Sequence, residues 1–105
     1  MAQLTVHENK NPATRSTVPL LLDVQTDLLS DLETRVVVPL RPVLALKGKS
    51  LRQLTPILEV EGELFVMLTP ELAGIPRSEL GPPVAQLKHR RTEILAAIDF
   101  LVTGV

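Results

Sequence analysis

The 105-residue sequence predicts an α+β fold in one domain (residues 1–105), antiparallel strands followed by a C-terminal helix, and three observations carry that expectation. Residues 18–24 and 35–40 are apolar, rich in aliphatic and β-branched side chains, and each carries a proline near one end, so they read as neighbouring strands. Residues 57–67 have period-two character around Glu61-Gly62, where glycine takes the positive φ of a tight hairpin turn. From Pro82-Pro83 onward Val84, Leu87, Arg91, Ile94, Ile98 and Leu101 fall on one stripe of helical period, with the prolines suited to the first helical turn.

The remaining elements follow in chain order. Residues 4–7 alternate weakly and form a short strand, and the turn formers and charges of 8–12 form a loop. Residues 25–34 connect the two apolar strands and show the adjacent leucines Leu28 and Leu29, which marks a contact surface. Thr69-Pro70-Glu71 supplies a capping side chain, a proline and an acid for one or two helical turns that Gly74 and Pro76 stop. The second half of the main helix, residues 94–102, is apolar nearly all the way round. One sheet face does not cover such a helix, and dimerisation is the simplest way to bury its outer side.

Composition excludes several functions. Apolar residues are 45% and charged residues 22%, a globular balance that buries roughly 65% of the unfolded surface at this length. Net charge is −1 with acids and bases interspersed, so no basic field gathers phosphates. There is no Trp or Tyr to stack on bases. Zero cysteines exclude disulfides and thiolate chemistry. No secretion signal precedes the domain and no apolar stretch approaches the roughly 20 residues a bilayer requires, so a cytoplasmic location is expected.

Chemistry finds little support. His7 and His89 have no Cys or His at ligand spacing, so structural or surface roles are expected and no metal or cofactor is implied. Glu59, Glu61 and Glu63 alternate as the solvated face of a strand. Asp23 ends an apolar strand and suits a turn cap or a pair with Arg35 rather than acid–base work. Ser16, Ser30, Ser50 and Ser78 lack a nucleophile-elbow context, the glycines form no phosphate loop, and the basic run 47–52 reads as a solvated loop.

Residues 20–29, LLLDVQTDLL, followed by RVVVPL at 35–40, resemble the CcdB family, whose signature is an apolar strand, Asp-Val-Gln-Ser/Thr-Asp, two aliphatics, then Arg, three apolar residues and Pro-Leu. The resemblance continues through Met67-Leu68-Thr69, Leu72-Ala73, Ile75-Pro76, Leu80-Gly81, His89-Arg90 and Gly104-Val105; residues before Leu20 match poorly. It implies an SH3-like barrel sheet (the CcdB, Kid and MazF architecture) with a small accessory sheet and a C-terminal helix, paired as a two-fold homodimer. It also implies a non-enzymatic toxin that binds the A subunit of DNA gyrase and traps its cleaved-DNA complex. A disordered CcdA-type antitoxin neutralises such a toxin, and the pair represses transcription. The gyrase-facing residues carried over by position are Leu28, Leu29, Asp99, Thr103, Gly104 and Val105.

The sequence departs from the family at its tip. Family members end in Trp-Gly-Ile and this chain in Thr103-Gly104-Val105, and Asp99 replaces a neutral amide. Loss of an aromatic hot spot of roughly 2 kcal/mol weakens binding about thirtyfold. Two alternatives follow. One is an endoribonuclease like Kid and MazF using Arg35, Asp23 and His89. The other is a homologue that keeps its dimer and antitoxin contacts without poisoning gyrase. For Leu28-Leu29 packing within the dimer's own loop is the alternative role, and for Gly104 a helix C-cap role is expected as well.

Overall fold

The computed structural model describes residues 2–43 and 53–104. Among these, β1 (Thr5–Asn9), β2 (Leu20–Asp23), β3 (Thr34–Pro42), β4 (Ile57–Val60), β5 (Glu63–Met67), β6 (Ala73–Pro76) and β7 (Leu80–Gln86) form one curled antiparallel sheet. The order is β4-β5-β3-β2-β1-β7, with β6 also on β3. One α-helix, α1 (Arg91–Thr103), completes an α+β half-barrel. No helix among the described residues is long and apolar enough to cross a membrane.

The two apolar segments pair as expected, from Leu20↔Leu40 to Asp23↔Val37. Their side chains alternate between two buried clusters. Leu22, Val38 and Leu40 join Leu4, Val6, Leu58 and Met67 in the inner core, while Leu21 and Val37 meet Leu80 and Ile75 on the other face. Burial on both faces explains why these strands read as continuous apolar runs rather than alternating ones.

β3 is the hub of the sheet. Its C-terminal part pairs with β5 (Leu40↔Met67 to Pro42↔Phe65) and its N-terminal part with β6 (Thr34↔Pro76 to Val37↔Ala73). Pro39 sits at the changeover. Its carbonyl accepts from Leu68 N–H at 3.0 Å, and it lies between the last residue paired with β6 (Val37) and the first paired with β5 (Leu40), an interruption of the ladder that tolerates proline. The small accessory sheet expected from the resemblance is therefore not separate among the described residues. The β4–β5 hairpin and β6 both extend the one sheet through β3.

The hairpin turns at Glu61 (φ 51°) and Gly62 (φ 82°), two left-handed residues in succession as the right-handed twist of a two-residue hairpin favours. Only Gly62 was the expected left-handed position, and Glu61 adopts its φ at a steric cost glycine does not bear.

Four sequence expectations are corrected. Pro82 and Pro83 begin no helix; they lie in β7, an edge strand where a missing N–H is harmless. The helix starts nine residues later at Arg91, and of the expected stripe α1 buries Ile94, half-buries Ile98 and leaves Leu101 exposed, with Ala97 completing the buried face. Glu8 and Asn9, expected in a loop, extend β1, because β2 and β7 flank them on both sides. Thr69 does not cap its single 3-10 turn (Thr69–Glu71): it is buried, its hydroxyl has no partner, and Leu68 occupies the cap position. The chain then enters β6, which the expected helix stop had concealed.

β1 and β7 approach closely where their register shifts. A Cβ at Gly81 would lie 2.8 Å from the Glu8 carbonyl oxygen and 3.0 Å from its Cβ, so this crossing requires glycine. His7 is buried there with Nδ1 3.0 Å from the Gly81 carbonyl, a structural histidine.

Candidate interaction surface

A short apolar strand ending in Asp23 delivers the chain into a connection that carries Leu28 and Leu29. Leu28 is 93% exposed and Leu29 and Leu32 each 48%, on and just beyond a single 3-10 turn, Asp27–Leu29, that buries nothing of its own. Leu28 gains almost nothing from folding and Leu29 and Leu32 only part of what a buried leucine gains, so polar contacts beneath the loop carry much of its shape.

Those contacts form a buried network. Asp23 and Arg35 are both 0% exposed and ion-paired at 2.7 Å through Nη2, with Nε donating to the same oxygen at 2.9 Å. The other Asp23 oxygen accepts from Gln25 N–H at 3.0 Å. The Gln25 side chain receives Val36 N–H at 3.0 Å and donates to the Leu29 carbonyl at 2.9 Å. Arg35 Nη2 also reaches the Gln25 carbonyl at 3.4 Å, whereas Nη1 is buried without a partner. The Asp23–Arg35 pairing anticipated from sequence is present, and it fixes both ends of the loop in low-dielectric surroundings where such bonds are strong.

The N-terminal segment adds a second clamp. Gln3 N–H donates to Asp27 Oδ1 at 2.7 Å and its side-chain nitrogen to the Val24 carbonyl at 3.0 Å. Its side-chain oxygen accepts from Arg91 Nη1 at 2.8 Å, which ties the loop to the first residue of α1. Leu4, buried at φ 68°, donates to the Asp23 carbonyl at 2.6 Å and accepts from Leu87 N–H at 2.8 Å. Sequence reading assigned no role to either amide: Gln25 stood only as one letter of the Asp-Val-Gln-Ser/Thr-Asp signature, where a polar residue directly after an apolar strand was the available signal, and Gln3 gave none.

The helix tip is the other half of the expected surface. Asp99, Thr103 and Gly104 are exposed, beside Leu101 (39%) and Val102 (74%). Gly104 (φ 76°) is the left-handed C-cap, with its N–H on the Phe100 carbonyl at 2.9 Å, as expected from sequence. The Thr103 hydroxyl donates to the Asp99 carbonyl at 2.7 Å and so turns back on its own helix. Val105 lies outside the described residues, as does the basic run 47–52.

The loop is tied through Gln3 to Arg91 at the start of α1, and the tip lies at the other end of that helix, about 18 Å along its axis. α1 buries Ile94 and Ala97 in the inner core, and its backbone also approaches the 3-10 turn Thr69–Glu71. Arg90 joins the start of the helix to β4 by its ion pair with Glu93 and a 3.1 Å bond to the Ile57 carbonyl. The endoribonuclease residues are not assembled. Asp23 and Arg35 are sealed from solvent while His89 is exposed on the turn before α1.

A family model described as CcdB protein matches residues 3–104, which extends the correspondence back over the segment before Leu20. The half-barrel with its C-terminal helix and a match across nearly the whole sequence place the chain in the CcdB family, the toxins of toxin–antitoxin systems.

Proposed function

We propose that this toxin acts as a two-fold homodimer that binds the A subunit of DNA gyrase and traps its cleaved-DNA complex, without a catalytic residue of its own. Leu28 and Leu29 contribute the loop half of the contact, and Asp99, Thr103, Gly104 and Val105 the helix-tip half. The observation that carries this reading is the exposure of Leu28 on a loop held by two fully buried charged residues, an arrangement with no use in the isolated fold. The loop is anchored at the start of α1 and the tip is at its end, and the dimer supplies the means of bringing the two halves onto one surface. The exposed Leu101 and Val102 fit the same proposal. A disordered CcdA-type antitoxin neutralises the toxin by covering apolar surface, and the pair represses transcription.

Thr103, bonded to its own helix, is a weaker anchor than an aromatic side chain. Calorimetry against a purified gyrase A-subunit fragment tests the proposal. The native chain binds, and Thr103→Trp binds about thirtyfold more tightly. Binding by the Trp variant alone means that the tip has been disarmed on an intact scaffold, with no growth arrest on expression of the native chain. Absence of binding by both refutes the proposal.

A further inference from the structure

β4 and β7, the edges of the half-barrel, do not pair, and the opening exposes a groove of about 310 Å³ at the mouth of the inner face. Its apolar lining comes from Leu20, Val60, Phe65 and Val84, and its rim from Glu8, Glu61 and Glu63. The rim is unexpected from strand periodicity. Glu8 follows the inward-facing Leu4 and Val6, and Glu63 stands opposite Val60 and two residues before Phe65, so both occupy inward positions where the pattern calls for apolar side chains. Each of the three glutamates is exposed, and among the described residues none has an ion-pair partner and no Lys, Arg or His lines the groove.

The backbone is fixed beneath two of the three glutamates. The close crossing at Gly81 fixes the Glu8 backbone, and the left-handed turn fixes Glu61. The groove opens at the Leu20 end of β2 and the Leu28–Leu29 loop leaves from its Asp23 end, about 10–13 Å away for a strand of this length. The two surfaces are therefore separate.

We infer that this groove is a second docking site, for a short peptide segment that alternates aliphatic and basic side chains. Aliphatic groups fill the apolar floor, and Lys or Arg heads meet the three exposed carboxylates of the rim. The volume, at the small end of ligand clefts, admits a few side chains rather than a folded domain. The selection is by charge: an acidic segment meets like charges at every point of the rim. This site does not depend on the proposed gyrase contact.

The test is titration of the ¹⁵N-labelled protein with the peptide Ac-LKVRLK-NH2 and its charge-reversed counterpart Ac-LEVELE-NH2. The basic peptide is expected to shift amide signals of Leu20, Phe65 and Val84, with binding weakened about tenfold by E8Q/E61Q/E63Q and by raising salt from 20 to 500 mM. The triple variant changes exposed side chains only, and its own spectrum verifies the fold. Equal response to the acidic peptide, shifts confined to other surfaces, no shift at millimolar peptide, or groove signals that move with protein concentration alone overturns the inference; the last outcome assigns the groove to a second copy of the chain.

Discussion

Replacing Arg35 by methionine keeps most of the side chain's apolar volume and removes every charged donor facing Asp23. Three interactions go: Nε and Nη2 to Asp23 at 2.9 and 2.7 Å, and Nη2 to the Gln25 carbonyl at 3.4 Å. The Asp23 carboxylate, fully buried, retains only the Gln25 N–H on its far oxygen. Removing one partner of a buried pair costs about 3–5 kcal/mol, mostly the penalty of the charge left behind. That is a large share of the roughly 5–15 kcal/mol that stabilises a domain, and each kcal/mol lowers Tm by about 4–8 °C at this size. The assay is urea unfolding followed by circular dichroism at fixed protein concentration, on Arg35→Met, Asp23→Leu and the double variant. The double variant should be more stable than either single one, because it leaves no unpaired charge. A loss below about 1 kcal/mol for Arg35→Met, or strict additivity in the cycle, refutes the view that the pair acts as one buried unit.

Leu28→Asp should leave stability within about 0.5 kcal/mol, since the residue is almost wholly exposed, while gyrase-fragment binding measured by calorimetry falls at least tenfold. Gln25→Ala should loosen the loop without unfolding the sheet, read as faster amide exchange at Leu28–Ser30 with β2 and β3 still protected. Gly81→Ala forces a Cβ to 2.8 Å from the Glu8 carbonyl and should destabilise by about 1–3 kcal/mol in chemical denaturation, with the β1–β7 crossing repositioned. Gly104→Ala should cost about 1 kcal/mol through its left-handed φ, detected as fraying of the last turn of α1 by hydrogen exchange.

Local information made much of this fold legible. The β2–β3 pairing and the Glu61-Gly62 hairpin are built from neighbouring segments whose turn chemistry and apolar content agree. The Asp23–Arg35 pair was legible because Asp23 ends one apolar run and Arg35 begins the next. The start of α1 was not. Val84 and Leu87 continue a helical stripe and Pro82-Pro83 suit a first turn, but β1, which pairs along 80–86, overrode that local preference. β6 was invisible because four largely exposed residues carry no period. Of the candidate surface, the two leucines stood out by type. Gln3 and Gln25, which hold them, did not, because their roles depend on which backbone groups the fold brings within reach.

The pairing of β1 with β7 joins residues 81 positions apart, as in the Gln86–Thr5 side-chain bond, and this places the toxin among chains whose folding waits on remote contacts. During synthesis β1 has only β2 for a neighbour until residues 80–86 emerge. The inner core stays uncovered until Ile94 and Ala97 arrive with the helix. The bond from Leu87 to Leu4 closes the segment that also carries Gln3, and Gln3 positions the loop of Leu28. A growing chain is consequently an apolar, half-paired sheet without a finished recognition surface. Any partner that grips it at that moment competes with its folding rather than with its target.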